Sequence, residues 1–478
     1  MRYLILLSIV PALLFSCSQR PSKTEVDVLI RSAAIIQVET GRIDYNKTIA
    51  VKGDSIVAVV DDSVGVSFEA HHVVDATGKF VIPGLWDMHV HFGGGDTLIQ
   101  ENKDLLPLYV ANGITAVRDC AADISPSVLQ WRKEIAAGTL QGPTLFTSGP
   151  KLEGINSMWI GDLEIDNTED MNKALDSLQH MQVDFVKITD NTLRPALFLE
   201  ILKAAKTRGL KTSGHIPFAL TMQQVSAAGL GSVEHMTYIL KAGSRDEQKI
   251  SDAVAAGKLT YREALPLLLD SFDEQVANKA YNDMAANGTA VVPTLNISYQ
   301  TAYLDQTDHQ HDDYLKYIGK GLKKTYDWRV ERAAKDDAKA IDTRHKIYEK
   351  TKTLLPLLQR AGVTIMAGTD AGYLNSFDYP GLALHEELKL FTEAGLTPLE
   401  ALQTAILHGP AFLQKPRYGE VVPGKFADML ILNQNPLLDI QATRSIDAVM
   451  LKGKLLDRKA LDALFEDAAK KVREQTPL

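Results

Sequence analysis

At 478 residues, with 45% hydrophobic and 23% charged residues, the chain is ordinary globular material, long enough for a large barrel plus a smaller domain. A formal charge of -9, with no Lys/Arg run interleaved with aromatics, argues against a nucleic-acid partner. The only cysteines are Cys17 and Cys120, so stability must come from a hydrophobic core and not from a disulfide framework.

Taken from the start, Arg2 supplies a positive charge, Tyr3 to Phe15 is apolar, and Leu14-Phe15-Ser16-Cys17 follows. This segment is too short for a spanning helix and reads as a cleaved signal peptide. Its ending resembles a bacterial lipobox, with Phe15 bulkier than the pattern prefers; the alternative is a non-lipidated secretory signal. Residues 1–17 are therefore expected to be removed up to a lipidated Cys17, and residues 18–25 to form a polar tether. The expected location is an exported, membrane-anchored lipoprotein facing the periplasm, touching the membrane only through that anchor.

From residue 26 to residue 82, short apolar stretches such as Val28-Leu29-Ile30, Ala34-Ile35-Ile36 and Ile56 to Val60 alternate with polar breaks, predicting small antiparallel strands. The same texture returns within residues 418–460, so the two ends are expected to pair into one small β-sandwich domain. A C-terminal helix is expected over 461–478.

Between the ends, Pro83 to His91 is an apolar run that delivers His89 and His91 and then breaks into Gly93-Gly94-Gly95. Residues two apart on a strand share a face, so both imidazoles can reach one metal ion. Further strands are expected at Ile114 to Asp119, Thr144 to Ser148, Asp184 to Thr189, Lys211 to His215, Ser232 to His235, Ala290 to Leu295 and Thr364 to Ala367. Helical apolar spacing in the gaps completes an α/β chain with a (β/α)8 TIM barrel over residues 83–417. A charged helical excursion over about 300–352 lies beside the mouth, either as a lid or as a solvated helical pair.

Chemistry in such a barrel sits at the C-terminal strand ends, and the candidate residues fall there. The fourth strand encloses Lys187, the fifth ends at His215, the sixth at His235, and Asp370 follows the eighth. Burial among apolar groups disfavours an ammonium, and a neutral amine can add carbon dioxide to give a carbamate able to bridge two cations. Lys187 could instead snorkel out or pair with a carboxylate, and Asp370 could be a helix N-cap. His309 and His311 repeat the opening spacing in a polar stretch and read as solvated. His71, His72, His180, His345 and His385 fall on helical or loop segments and receive no catalytic role. Cys120 reads as a small buried hydrophobe.

With Thr115 to Asp119, Val186-Lys187-Ile188, Ser213-Gly214-His215, Val233-Glu234-His235, Ala367 to Asp370 and Gly424 to Asp428, the chain resembles the metal-dependent amidohydrolase superfamily. Within it, the resemblance is to the imidazolonepropionase-like group that includes Xaa-Pro and Xaa-Arg dipeptidases. The resemblance implies two divalent ions, usually Zn2+: His89, His91 and Asp370 on one, His215 and His235 on the other, and carboxylated Lys187 between them. It implies a metal-bridging hydroxide that attacks an amide carbonyl, with Asp370 moving the proton and His235 helping to orient the carbonyl. Tyr238 is a candidate substrate contact or a packing residue at the rim. The loop Ser148 to Gly154 lacks the Gly-Gly-His of many relatives, and Ile406 to Ala411 lacks their Asn-Pro-Ala. The implied substrates are small amides such as dipeptides or N-acyl amino acids; a homo-oligomer is compatible with the sequence. The alternatives are a mononuclear cyclic-amide hydrolase or deaminase, and a lipid-anchored binding protein on a decayed barrel.

Overall fold

A computed structural model describes residues 23–475. Cys17, the signal segment and most of the tether lie outside the described residues.

Strands from both ends of the chain form one eight-stranded sheet. Its central strand, Thr24–Gln37, spans both apolar stretches that the sequence separates at Arg31-Ser32. That polar break is a β-bulge: the register shifts between Ile30 and Ala33, and Ser32 adopts a φ of 58°. The Ser32 amide and hydroxyl both donate to Asp62, at 3.1 and 2.9 Å. The expected antiparallel arrangement is only partly present, because Thr24–Gln37 pairs in parallel with Phe68–Asp75 and with Phe80–Pro83. Strand Ser55–Asp61 and the single turn Asp62–Gly65 provide the return crossover that a parallel pair needs. His71 and His72 thus lie on a strand, exposed, and not on a loop or helix.

Phe80–Pro83 pairs on its other edge with Met429–Leu432, which joins the two chain ends. One set of side chains, including Ile30, Ile35, Val51, Met429 and Met450, forms a separate core. Alternate residues such as Ile82, Leu430, Leu432 and Val449 pack onto the barrel, as the two-residue period requires. Helix Arg458–Glu474 begins three residues earlier than expected, capped by the Asp457 carboxylate accepting from the Ala460 amide at 2.8 Å.

The middle of the chain is a ring of parallel strands. Leu85–His91, Ile114–Asp119 and Thr144–Thr147 pair in order, as do Val186–Ile188, Thr212–Gly214, Ser232–Glu234 and Ala290–Val292. The eighth position is shorter than expected: Thr364 to Ala367 makes one parallel bridge, Ile365 to Val291. It still closes the ring, since the Met366 amide donates to Val291 O and the Met88 amide to Ala367 O, both at 2.9 Å. The other seam closes where the Asp184 amide donates to Thr147 O at 2.9 Å.

Inward-facing Trp86, Met88, Phe146, Phe185, Val292 and Met366 fill the barrel below the site, with Trp86 stacked on Phe146 at 4.9 Å. Outward residues such as Val117, Ile188, Val233 and Val291 meet the surrounding helices. Several of these helices start on capping boxes, Thr221 with Gln224, Thr260 with Glu263 and Thr397 with Glu400, so local sequence fixes where each leaves its loop.

Two insertions rise over the C-terminal strand ends. The first carries two short strands, Leu152–Gly154 and Leu163–Ile165, where the sequence reads as a loop. The second contains helices Lys320–Thr325, Asp327–Ala333 and Ala338–Lys352. They meet at Trp159 and Trp328, whose rings are 6.3 Å apart and edge to face.

Candidate metal centre and active site

His89 and His91 project from the end of Leu85–His91, and their Nε2 atoms lie 3.1 Å apart. Asp370 Oδ1 is 3.3 Å from His89 Nε2 and 3.0 Å from His91 Nε2. Asp370 reaches this position in the left-handed region, at φ 74°, with its amide donating to His89 O at 2.7 Å. Such a φ in a non-glycine residue costs about 1–3 kcal/mol and persists only where neighbours hold it. Buried Asp87 does so: it accepts from the Thr369 amide at 3.0 Å and the Thr369 hydroxyl at 2.7 Å, tying the eighth segment to the first strand. Burial pushes the Asp87 carboxyl up to about 7.

On the opposite wall, His215 and His235 follow the fifth and sixth strands, again with Nε2 atoms 3.1 Å apart. His235 also has a positive φ, 72°, and its Nδ1 lies 2.6 Å from Thr294 Oγ1. The ring of His89 is 5.2 Å from that of His235, so the two pairs face one space. Lys187 is 1% exposed, and its Nζ has no hydrogen-bond partner among the described residues.

The electrostatics suit neutral imidazoles. Burial pushes His89 down to about 3 despite the adjacent carboxylate of Glu234. Burial pushes His235 down to about 4 and holds His215 well below its ordinary value. Burial acts to raise the Asp370 carboxyl, but contact with His91, 3.0 Å away, holds it well below the usual range. The result is an ionised carboxylate facing the uncharged imidazoles of His89, His215 and His235.

Three of the imidazoles are oriented from behind. His89 Nδ1 meets Glu234 Oε2 at 2.8 Å, His91 Nδ1 meets Ala121 O at 3.1 Å, and His235 Nδ1 meets Thr294. With the proton on Nδ1, each Nε2 lone pair points into the shared space. Lone pairs 3.1 Å apart repel unless a cation lies between them. His89, His235 and Asp370 present ligand atoms all within 4.8 Å of one another. The donor set therefore fits divalent metal, and the unpartnered Lys187 amine fits conversion to an anionic ligand.

Tyr238 is buried, with its ring 6.3 Å from that of His215 and its hydroxyl donating to Asp190 Oδ2 at 3.0 Å. Asp190 Oδ1 in turn lies 3.8 Å from His215 Nδ1. Burial raises the Tyr238 phenol well above its ordinary value, so it stays protonated. Cys120 is free and buried. It stands beside His89 and Glu234, and burial pushes its thiol up to about 12. His309 is not solvated as expected: it stacks on Phe377 at 4.2 Å and pairs with Asp312 at 2.8 Å.

Four contributors have no assigned role in the sequence. Glu234 accepts from Arg118 Nη2 at 3.0 Å on each oxygen, and also from the Ser213 and Ser232 hydroxyls. The only signal is a charged residue inside each of two apolar strands. Glu153, in the loop that departs from many relatives, is a buried anchor accepting from the Asn191, Thr192 and Leu193 amides. Arg329, from helix Asp327–Ala333, brings Nη2 to 3.8 Å from Asp370 Oδ2. Nothing local in its charged stretch marks it.

Comparison with known proteins agrees with this fold. Ochratoxinase of Aspergillus niger is 25% identical over 474 residues, covering 94% of this chain and 90% of its own. Bottromycin amidohydrolase superposes with a TM-score of 0.72 at 18% identity, covering 95% of this chain and 91% of its own. A Xaa-Pro dipeptidase with methionine bound in its active site superposes with a TM-score of 0.65 at 19% identity, covering 90% of this chain and 99% of its own. These structures share the barrel fold. The amidohydrolase family model matches residues 80–456, most of the described chain, and the protein belongs to the amidohydrolase family, enzymes that act on amide bonds and generally bind divalent metals.

Proposed function

We propose that this chain is a two-metal hydrolase of amide bonds in small substrates, dipeptides or N-acyl amino acids. One observation carries the reading: four imidazoles and Asp370 face one space at the strand ends, and the buried Lys187 amine beside them on the fourth strand has no hydrogen-bond partner among the described residues. His89, His91 and Asp370 would hold one ion, His215 and His235 the other, with Lys187 as carboxylated ligand between them. When bound, the ions, zinc in this proposal, supply a polarised carbonyl and an acidified water.

The chain's own residues do the rest. Asp370 is held as a carboxylate by His91 and His89, so it accepts a proton at Oδ1 or Oδ2 and returns it to the leaving nitrogen. His235, fixed through Nδ1 by Thr294, keeps its Nε2 turned into the space it shares with His215. The two insertions meeting at Trp159 and Trp328 narrow the mouth and reduce water access. A one-metal cyclic-amide hydrolase or deaminase is the second reading, favoured by the compact triad of His89, His235 and Asp370.

The test is to strip the protein of metal, restore zinc or manganese with bicarbonate, and screen dipeptides and N-acyl amino acids. Metal-dependent amide cleavage with two ions per chain supports the reading. One ion per chain supports the second reading, and no bound ion with no cleavage overturns both. Export and membrane anchoring through Cys17 remain part of the proposal, tested by whether Cys17→Ser shifts the protein from the membrane to the soluble fraction.

A further inference from the structure

The geometry points to Arg329 as the residue that binds the carboxylate of the substrate's leaving amino acid, with an apolar side chain lying against Trp159 and Trp328. This rests on the amide-hydrolase reading above.

Arg329 enters the mouth from helix Asp327–Ala333, with its side chain 20% exposed. Nε donates to Leu374 O at 3.1 Å and Nη2 to Asn375 Oδ1, while Asn375 Nδ2 donates to Asp370 O. These contacts aim the guanidinium and leave Nη1 without a hydrogen-bond partner among the described residues. Its nearest acid, Asp370, is already engaged by His91 and His89. A planar guanidinium with spare donors suits a carboxylate.

The position also matches the reaction. Asp370 delivers its proton to the leaving nitrogen, and in an N-acyl amino acid one tetrahedral carbon separates that nitrogen from the carboxylate. Arg329 lies 3.8 Å from Asp370, close enough to reach a carboxylate that near the leaving nitrogen. Beside it lie Trp328, whose ring centre is 5.7 Å from the Arg329 guanidinium carbon and 5.0 Å from that of Arg332, and the apolar Met158 and Ile160 on the facing loop, 64% and 87% exposed. Lys151, also near Trp159, is paired with Asp162 at 2.9 Å and is not free for an anion. An anion joined to an apolar side chain fits this combination better than an inorganic phosphate, which would leave the tryptophan pair unused.

The test measures binding of N-acetyl-L-leucine and N-acetyl-L-leucinamide by calorimetry to metal-loaded wild type, Arg329→Met and Arg329→Lys. Wild type should prefer the acid by ~10–100-fold, as expected for a charge-assisted hydrogen bond. Arg329→Met should abolish that preference while amide binding and metal content stay unchanged, and Arg329→Lys should keep part of it. Equal binding of the two probes to wild type, or an undiminished preference in Arg329→Met, overturns the inference. An equal loss for both probes assigns Arg329 to holding the Asp370 loop and overturns it too. Failure of every amide to be cleaved would instead defeat the hydrolase reading, which this binding readout does not depend on.

Discussion

His89 and Glu234 form the hinge between the metal centre and the barrel interior: the imidazole Nδ1 and the carboxylate Oε2 lie 2.8 Å apart, and both side chains are wholly buried. Burial by itself would raise the Glu234 carboxyl, but Arg118, Lys187 and the His89 hydrogen bond hold it well below the usual range. An ionised Glu234 fixes the His89 tautomer and thereby aims Nε2 into the space shared with His91 and Asp370.

Glu234→Gln should weaken metal binding about 10–100-fold, the usual effect of losing a partner behind a ligand. It also leaves Arg118 buried without its counter-charge, which should cost about 3–5 kcal/mol of stability. Chelator competition and denaturant unfolding measure the two effects separately; an unchanged metal affinity would remove Glu234 from the orienting role.

Lys187→Ala should reduce the metal content from two ions toward one per chain and lower kcat/KM by at least ~10²-fold, since it removes the proposed anion between the ions. Elemental analysis and amide-cleavage kinetics test this together. Full metal content and activity in the variant would show that Lys187 is only a buried packing residue.

For Asp370→Asn, kcat should fall ~10²–10⁴-fold, the range for loss of a positioned proton acceptor. Its KM should change less, because the substituted amide keeps the side chain's volume. A variant that retains wild-type kcat would place the proton transfer elsewhere.

Away from the site, His385 gives a pH prediction. It is buried against Thr443 and Asn112 O, at 2.9 and 2.8 Å, and burial pushes it down to about 4. Its folded value lies below the unfolded value of about 6.5, so the unfolded chain binds the proton more readily. The contribution is constant above about pH 6.5 and is lost as pH falls toward 4, by up to about 3 kcal/mol. Equilibrium unfolding at pH 7.5, 5.5 and 4.5 should show this loss in wild type and a shallower one in His385→Gln; identical slopes would contradict it.

The amino-acid sequence by itself determined the alternation of strand and helix and the six residues now seen around one space. Those are local facts: a two-residue period sets His89 and His91 on one face, and strand-end position sets Lys187, His215, His235 and Asp370 at the barrel mouth. The polar break at Arg31-Ser32 misled because a bulge and a turn share the same composition, and only pairing with a neighbour distinguishes them. The tertiary structure alone decided the support and the specificity. Arg118 meets Glu234 across 116 residues, Thr369 meets Asp87 across 282, and Arg329 reaches Asp370 from a separate insertion. No periodicity records such contacts, because closing the barrel and docking the insertions bring together residues that are remote in the chain.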